Sequence, residues 1–201
     1  MKARLCLVAF ALLFAGQAMA QQSPWLVRAR AVHLEMADKS DQVGGSGAFD
    51  RLTVNNKWIP EVDVSYFFTP NIAAELILTV PQKQTVSLAG TEIGTFKHLP
   101  PTLLVQYHFT GLQGYKPYVG AGINYTRISQ VDLAGGAATL DSHSWGGALQ
   151  AGVDIPLDKN WSLNFDIKKI YIQSDVSLNG VHQGTLKLDP IAAGVGIGYR
   201  F

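Results

Sequence analysis

Beyond residue 20 the chain contains no cysteine: the single cysteine among its 201 residues is Cys6. That excludes disulfides as the staple of an exported domain and leaves a full core or a closed sheet to hold it. Positive charge is not in excess either, since removing Lys2 and Arg4 takes the formal charge from +1 to −1. The basic footprint of a nucleic-acid binder is therefore missing, and no nucleic-acid partner is expected. No apolar run after residue 20 approaches the roughly 20 residues of a membrane-crossing helix. Internal repeats and low-complexity tracts are absent. The five histidines, His33, His98, His108, His143 and His182, are scattered without metal-ligand spacing, so neither a metal nor another cofactor is expected. Against these absences, the mean hydropathy is slightly positive, which is unusual for a soluble exported protein.

The first twenty residues are set aside before fold reasoning. Lys2 and Arg4 form a basic start, residues 5–15 an apolar run, and Ala18-Met19-Ala20 a small-residue cleavage site. This is the layout of a cleavable signal peptide, with removal after Ala20. Cys6 lies too early to carry a lipid. Residues 21–201 then form one exported domain.

Within that domain, alternation by two prevails over helical stripes. Eight alternating segments are read at 25–35, 58–68, 72–80, 102–109, 118–128, 145–155, 161–172 and 188–201. Each is close to the roughly 10 residues that a tilted membrane-crossing strand needs. Short turn-type links at 69–71, 110–116 and 156–160 alternate with long polar stretches at 36–57, 81–101, 129–144 and 173–187. The glycine-rich part of the first long stretch, 41–47, reads as a mobile loop. Short turns on one rim and long loops on the other predict an eight-stranded antiparallel transmembrane β-barrel, an all-β fold.

A soluble barrel also alternates, with its apolar set inside; the aromatic residues separate the two. With the bulky phase outward, the short-turn rim carries Trp25, Tyr66, Phe68, Tyr107, Phe109, Trp161, Tyr199 and Phe201. The long-loop end carries Tyr125, Trp145 and Tyr171. Between them lie apolar, mostly aliphatic residues such as Val62, Leu76, Leu78, Val119, Ile123, Phe165, Ile167 and Ile197. Two aromatic girdles around an aliphatic band face outer-membrane lipid as partner. Trp161 and Tyr171 are ten residues apart, about 33 Å along a strand and about 25 Å in height at a tilt of about 40°. His33 and Lys169 break the outward phase near the loop end, where a long polar side chain can reach water.

The opposite phase fills the lumen. Toward the short turns it collects Arg28, Arg30, Asp63, Glu75, Gln106, His108, Gln150, Asp154, Asn164, Asp166, Lys168 and Arg200. Eight strands enclose only enough space for their own side chains, so these residues read as a polar plug held by ion pairs. Toward the long loops the inward residues turn apolar: Val32, Leu34, Ile59, Ile77, Leu104, Ile170, Ile172 and Leu188. A polar floor under an apolar upper lumen suggests a pocket for a small hydrophobic solute; the simpler alternative is that these residues only pack there.

Catalysis finds little support. Asp141-Ser142-His143-Ser144 lies in one loop, whereas catalytic triads are assembled from distant segments. His108 with Glu75 reads as a plug hydrogen bond. The closing "AAGVGIGYRF" (192–201) has glycine at every second position, but a dinucleotide loop requires a helix after its glycines. As a strand, it places Gly194, Gly196 and Gly198 against the lumen, where missing side chains make room for Arg28 and Lys168.

Four motifs, "HLPPTLLVQYHF" (98–109), "KPYVGAGINYT" (116–126), "SWGGALQAGVD" (144–154) and "KLDPIAAGVGIGYRF" (187–201), together resemble the outer membrane protein W family of Gram-negative bacteria across the whole of 21–201. The resemblance implies a porin-like barrel in the cell outer membrane that passes small hydrophobic solutes passively, and no catalytic residues. It leaves open an alternative: a structural or receptor barrel acting through its extracellular loops, for bacteriocin or phage, or in the envelope stress response. It also implies that the terminal Phe201 is the assembly signal read by the barrel-assembly machinery during insertion. Ile191-Ala192-Ala193-Gly194 is smaller than the residues common in that family's last strand, and the loops differ, so substrate range transfers least.

Overall fold

The computed structural model describes residues 23–43 and 48–201. The export segment expected over 1–20, and the 44–47 part of the loop expected over 41–47, lie outside them. The described strands, in chain order, are β1 (Trp25–Glu35), β2 (Lys39–Ser40), β3 (Leu52–Val54), β4 (Lys57–Phe67), β5 (Ile72–Thr79), β6 (Gln82–Leu88), β7 (Thr91–Leu99), β8 (Thr102–His108), β9 (Lys116–Leu133), β10 (Ala138–Leu140), β11 (His143–Pro156), β12 (Trp161–Ile170), β13 (Gln173–Leu178), β14 (Val181–Lys187) and β15 (Ile191–Arg200).

Eight of these, β1, β4, β5, β8, β9, β11, β12 and β15, pair antiparallel in a ring. The ring closes where β15 returns to β1, from Leu26 opposite Arg200 to Glu35 opposite Ile191. Closure gives each of the eight strands a neighbour on both sides, as strands facing lipid require. No helix among the described residues is long and apolar enough to cross a membrane; the crossing is made by strands. Their burial alternates strictly, as in β8, where Leu103, Val105 and Tyr107 face out while Thr102, Leu104, Gln106 and His108 are buried.

The outward face carries the expected girdles. Trp25 packs edge-on against Tyr66, Tyr107 against Phe109, and Trp161 against Tyr199 on the short-turn rim. Tyr125 lies 4.8 Å from Trp145 at the other end, and Trp58, 63% exposed, joins that upper girdle. Lys169 reaches back so that its ammonium donates to the Asp189 carbonyl and lies 5.9 Å over the Tyr171 ring. The periplasmic turns are tied locally. Asp158 accepts the backbone N–H groups of Asn160 and Trp161 at 2.8 and 2.7 Å, and those two bonds hold its carboxyl below the usual range.

The long polar stretches differ from the loops expected of them. β6 and β7 form a hairpin that continues the wall above β8, pairing with the upper half of β9. β3 pairs with β6, while β13 and β14 pair with each other and with β10 and β2. β9 therefore runs 18 residues, about 60 Å at roughly 3.3 Å per residue, from the periplasmic rim into this extension. The alternation is present here, but its outward members, Lys83, Thr85, Thr95 and Lys97, face water instead of lipid. The bulky phase that marks a membrane strand is therefore missing.

The glycines of β15 lie opposite the plug. Arg30 faces Gly196 across β1, and Arg28 faces Gly198. A Cβ on Gly196 would run into the Ala29 carbonyl and come 2.7 Å from Arg30 Cγ. Gly196→Val is accordingly expected to lose most of the folded, heat-modifiable species on unboiled gels, since overpacking costs at least about 1–3 kcal/mol. Ala193→Val, on the lipid face of the same strand, should fold as the parent does.

Candidate functional site

The lumen is built in two layers. The lower one follows from strand register: Arg28 is opposite Asp63, Arg30 opposite Glu61, Ser65 opposite Glu75, Asn164 opposite Asp154, and Lys168 opposite Gln150. Arg28 grips Asp154 with two parallel bonds of 3.0 and 2.7 Å, and its other terminal nitrogen donates to Asp63, Ser65 and Glu75 at 3.1–3.2 Å. Arg30 spans the lumen between Asp63 at 2.5 Å, Glu75 and Asp166 at 3.2 Å, and Glu61 at 3.0 Å. Lys168 bridges Glu61 at 2.9 Å and Asp166 at 2.5 Å.

Neutral groups complete the layer. Gln150 donates to Glu75 and Asp166, both at 2.8 Å, and accepts from Gln106 at 2.8 Å. Tyr118 donates to Asp166 at 2.8 Å, and Asn164 donates to Tyr118 at 3.0 Å and to Asp154 at 2.9 Å. His108 contacts Gln106 at 3.0 Å and stacks on Tyr118, so it meets the glutamine, while Glu75 is taken up by the two arginines and Gln150. Within this buried network stand three cations, Arg28, Arg30 and Lys168, and five carboxylates, Glu61, Asp63, Glu75, Asp154 and Asp166. Arg200 stands apart at the periplasmic mouth, its guanidinium 4.0 Å over the Phe67 ring. It helps line a cavity of about 370 Å³ below the plug, with Leu26, His108, Lys116 and Asp154.

Three plug members are missing from the sequence reading: Glu61, Ser65 and Tyr118. Glu61 stands in the same phase as Ile59 and Asp63, so alternation alone would have found it. Tyr118 opens its segment next to outward Val119, so the same alternation turns its hydroxyl inward.

The upper layer is apolar. Val32, Leu34, Ile59, Ile77, Leu104, Ile170, Ile172 and Leu188 are all buried and belong to one cluster. That cluster continues above the membrane through Leu52, Val54, Val86, Phe96, Ile128, Val176 and Leu186, residues in or beside stretches that read as loops. It also holds polar side chains: Gln84, His98 and Ser174 are buried at 0, 1 and 2% exposure. His98 lies above the upper girdle, opposite Ile128, which follows Tyr125 by three positions on β9. Burial, helped by the nearby Lys57 charge, pushes its imidazole down to about 4.

The wall of this layer is weakest on one side. The β4–β5 ladder stops at Glu61 opposite Thr79, and pairing resumes higher up, where Asn55 and Thr85 exchange bonds of 3.2 and 2.6 Å. Between these points lie residues 57–60 of β4 and residues 80–83, the link from β5 with the first two residues of β6. Pro60 brings no N–H to this gap. Two side-chain bonds cross it, from Thr79 Oγ1 to the Pro60 carbonyl at 2.6 Å and from Lys57 Nζ to the Lys83 carbonyl at 2.8 Å.

The loop candidate at 141–144 lies apart from the lumen network. Ser142 Oγ lies 3.2 Å from His143 Nδ1, both in exposed positions, and the His143 ring lies over Tyr125. Among the described residues no group of three or more His, Cys, Asp or Glu side chains is arranged so that it could hold a metal ion. Phe201 is 60% exposed at the periplasmic rim, edge-on to Tyr199.

Residues 21–201 match the family model described as OmpW family. An uncharacterized outer-membrane protein, y4mB, of Sinorhizobium fredii is 41% identical over 186 residues, covering 89% of this chain and 80% of that protein. The dibenzothiophene metabolism operon protein PahQ of Pseudomonas aeruginosa is 28% identical over 100% of this chain and 99% of its own. Among solved structures, the outer membrane protein OprG of Pseudomonas aeruginosa superposes with a TM-score of 0.77 at 25% identity, covering 90% of this chain and 97% of that one.

Two outcomes follow from the layers. Arg28→Leu leaves Asp63, Glu75 and Asp154 without their shared cation, and breaking a buried pair from one side costs about 3–5 kcal/mol; urea unfolding in lipid vesicles should show a loss of that order. His98 accepts a proton near pH 6.5 when its hairpin opens, but only near pH 4 when packed. Stability of the β6–β7 hairpin is therefore full above about pH 6.5 and falls as pH drops toward 4. Amide exchange over residues 82–99 should quicken between pH 7 and pH 5 beyond the intrinsic change, and His98→Gln should remove that excess.

Proposed function

The chain belongs to the OmpW family of outer-membrane barrels, and from that premise we propose that it is a passive uptake channel for small hydrophobic solutes. The observation that carries this reading is the apolar layer resting on a saturated ionic floor beside a weakly bonded stretch of wall. A hydrophobic solute arriving from the loop side enters the cluster around Leu104 and Ile170. Straight passage would require it to break the network around Arg28 and Arg30, which offers an apolar molecule nothing in return. Leaving between β4 and β6, by contrast, requires parting two side-chain hydrogen bonds, each worth about 1 kcal/mol net. The gap opens at the level of Trp58, in the outer part of the bilayer, where an apolar solute is already favoured. The name of the relative PahQ, tied to the metabolism of dibenzothiophene, supports solutes of this polarity.

A second reading, a receptor barrel, draws on the extracellular wall. Its paired strands hold exposed Leu178 and Val181, a surface on which a bacteriocin or phage protein can dock.

Leu104→Asp and Ile170→Asp should each slow uptake of an apolar probe such as n-octane several-fold in cells expressing the full chain. Because a buried charge can also hinder folding, the gap gives an independent variant. Lys57→Cys with Lys83→Cys, bridged by a bismaleimide in a chain that has no other cysteine after residue 20, should slow uptake, with the unbridged form as control. Unchanged uptake in all of these overturns the channel reading, whereas a receptor would keep its binding throughout.

A further inference from the structure

The hairpin β6–β7 turns an unusual set of residues inward. On β6 the buried phase is Gln82, Gln84 and Val86, and on β7 it is Phe96 and His98. Gln84 stands opposite Phe96, and His98 opposite Gln82, so Gln84 and His98 are diagonal neighbours on one face of the hairpin, within reach of a common small group. Their surroundings are apolar: Val86, Phe96 and Ile128 belong to the cluster that contains Leu104.

Gln82 uses its amide on the Val80 carbonyl at 2.8 Å. Gln84 does not: neither its carboxamide oxygen nor its nitrogen has a hydrogen-bond partner among the described residues, and the same holds for His98 Nδ1. A buried polar group left in this way costs about 1–3 kcal/mol, a cost that leucine or methionine at position 84 would avoid. The glutamines of the polar layer below make the contrast sharper, because there Gln106 and Gln150 are satisfied from both ends.

We propose that Gln84, with His98 beside it, is a hydrogen-bonding subsite that makes the apolar layer select solutes carrying one neutral polar group, a hydroxyl or a carbonyl, over plain hydrocarbons of equal size. This rests on the uptake reading above and specifies the solute class. The carboxamide supplies one donor face and one acceptor face, which a ketone or an alcohol can each match. A neutral His98 adds a second contact of either sense. Carboxylate solutes are disfavoured by the floor, where five carboxylates face three cations, and ammonium solutes by apolar walls without a counter-ion.

The test compares initial uptake of 2-octanone and n-octane in cells carrying the full chain, its Gln84→Leu variant, the double variant Gln84→Leu/His98→Phe, or no barrel. The ketone-to-alkane ratio should fall roughly three- to tenfold in Gln84→Leu, the worth of one hydrogen bond, and at least as far in the double variant, with octane uptake retained. Octane uptake retained with an unchanged ratio overturns the subsite and leaves the channel standing. Neither probe crossing faster than in cells without the barrel overturns both. A measurement on the unmutated protein guards against misfolded variants. In lipid nanodiscs, the side-chain amide resonances of Gln84 should shift with 2-octanone and stay in place with octane, and equal shifts with both overturn the subsite.

Discussion

Every feature of this protein depends on closing eight strands into a ring whose outer surface is lipid. In hydrocarbon a backbone N–H or C=O finds no water, so each must be paired within the sheet. β15 returning to β1 meets that demand. The ring then sets the interior: at eight strands the lumen has room for side chains and little more. Side chains must therefore fill it, and register decides which meet. Arg28 and Arg30 reach their carboxylates because β1 is paired with β4 in one alignment. Moving that pairing by a single residue would turn both arginines into the bilayer.

The glycines of β15 and β9 answer the same constraint. A ring this small cannot seat long arginine side chains against a neighbouring strand that also carries side chains. Gly194, Gly196 and Gly198 therefore stand opposite Val32, Arg30 and Arg28, and Gly120 stands opposite Gln106 and Gln150. The alternating glycines of the closing strand are the seat of the plug, their flexibility removed by pairing on both sides.

The barrel and its two-layered lumen were legible from residues because lipid makes the outward phase bulky. Leu76, Leu78, Ile123 and Phe165 mark it, and the inward phase follows by subtraction. Above the girdle that contrast disappears. Lys83, Thr85 and Lys97 look out on water as Gln82, Gln84 and His98 look in, so both phases read as polar and the stretch resembles a loop. Gln84 and His98 stayed hidden for this reason. The inward partners Val86 and Phe96 alternate correctly, but two apolar residues in a polar hairpin are too short a signal to fix a strand. The gap between β4 and β6 was also invisible, since a missing ladder is a relation between strands.

The distribution of hydrogen bonds between the layers decides where motion is concentrated. In the floor, Arg28 alone makes five side-chain bonds to four residues. A rearrangement there would strand several charges in a space of low polarity, at several kcal/mol each. Across the β4–β6 gap two bonds from side chains to carbonyls hold the wall. Loosening that side costs a small fraction of what loosening the floor does. The same economy separates Gln84 from Gln150: one amide is consumed by the scaffold, the other is left free inside an apolar layer. Rigidity below and unspent bonding capacity above are the physical conditions for a channel whose floor stays shut while its upper wall and lining respond to the solute.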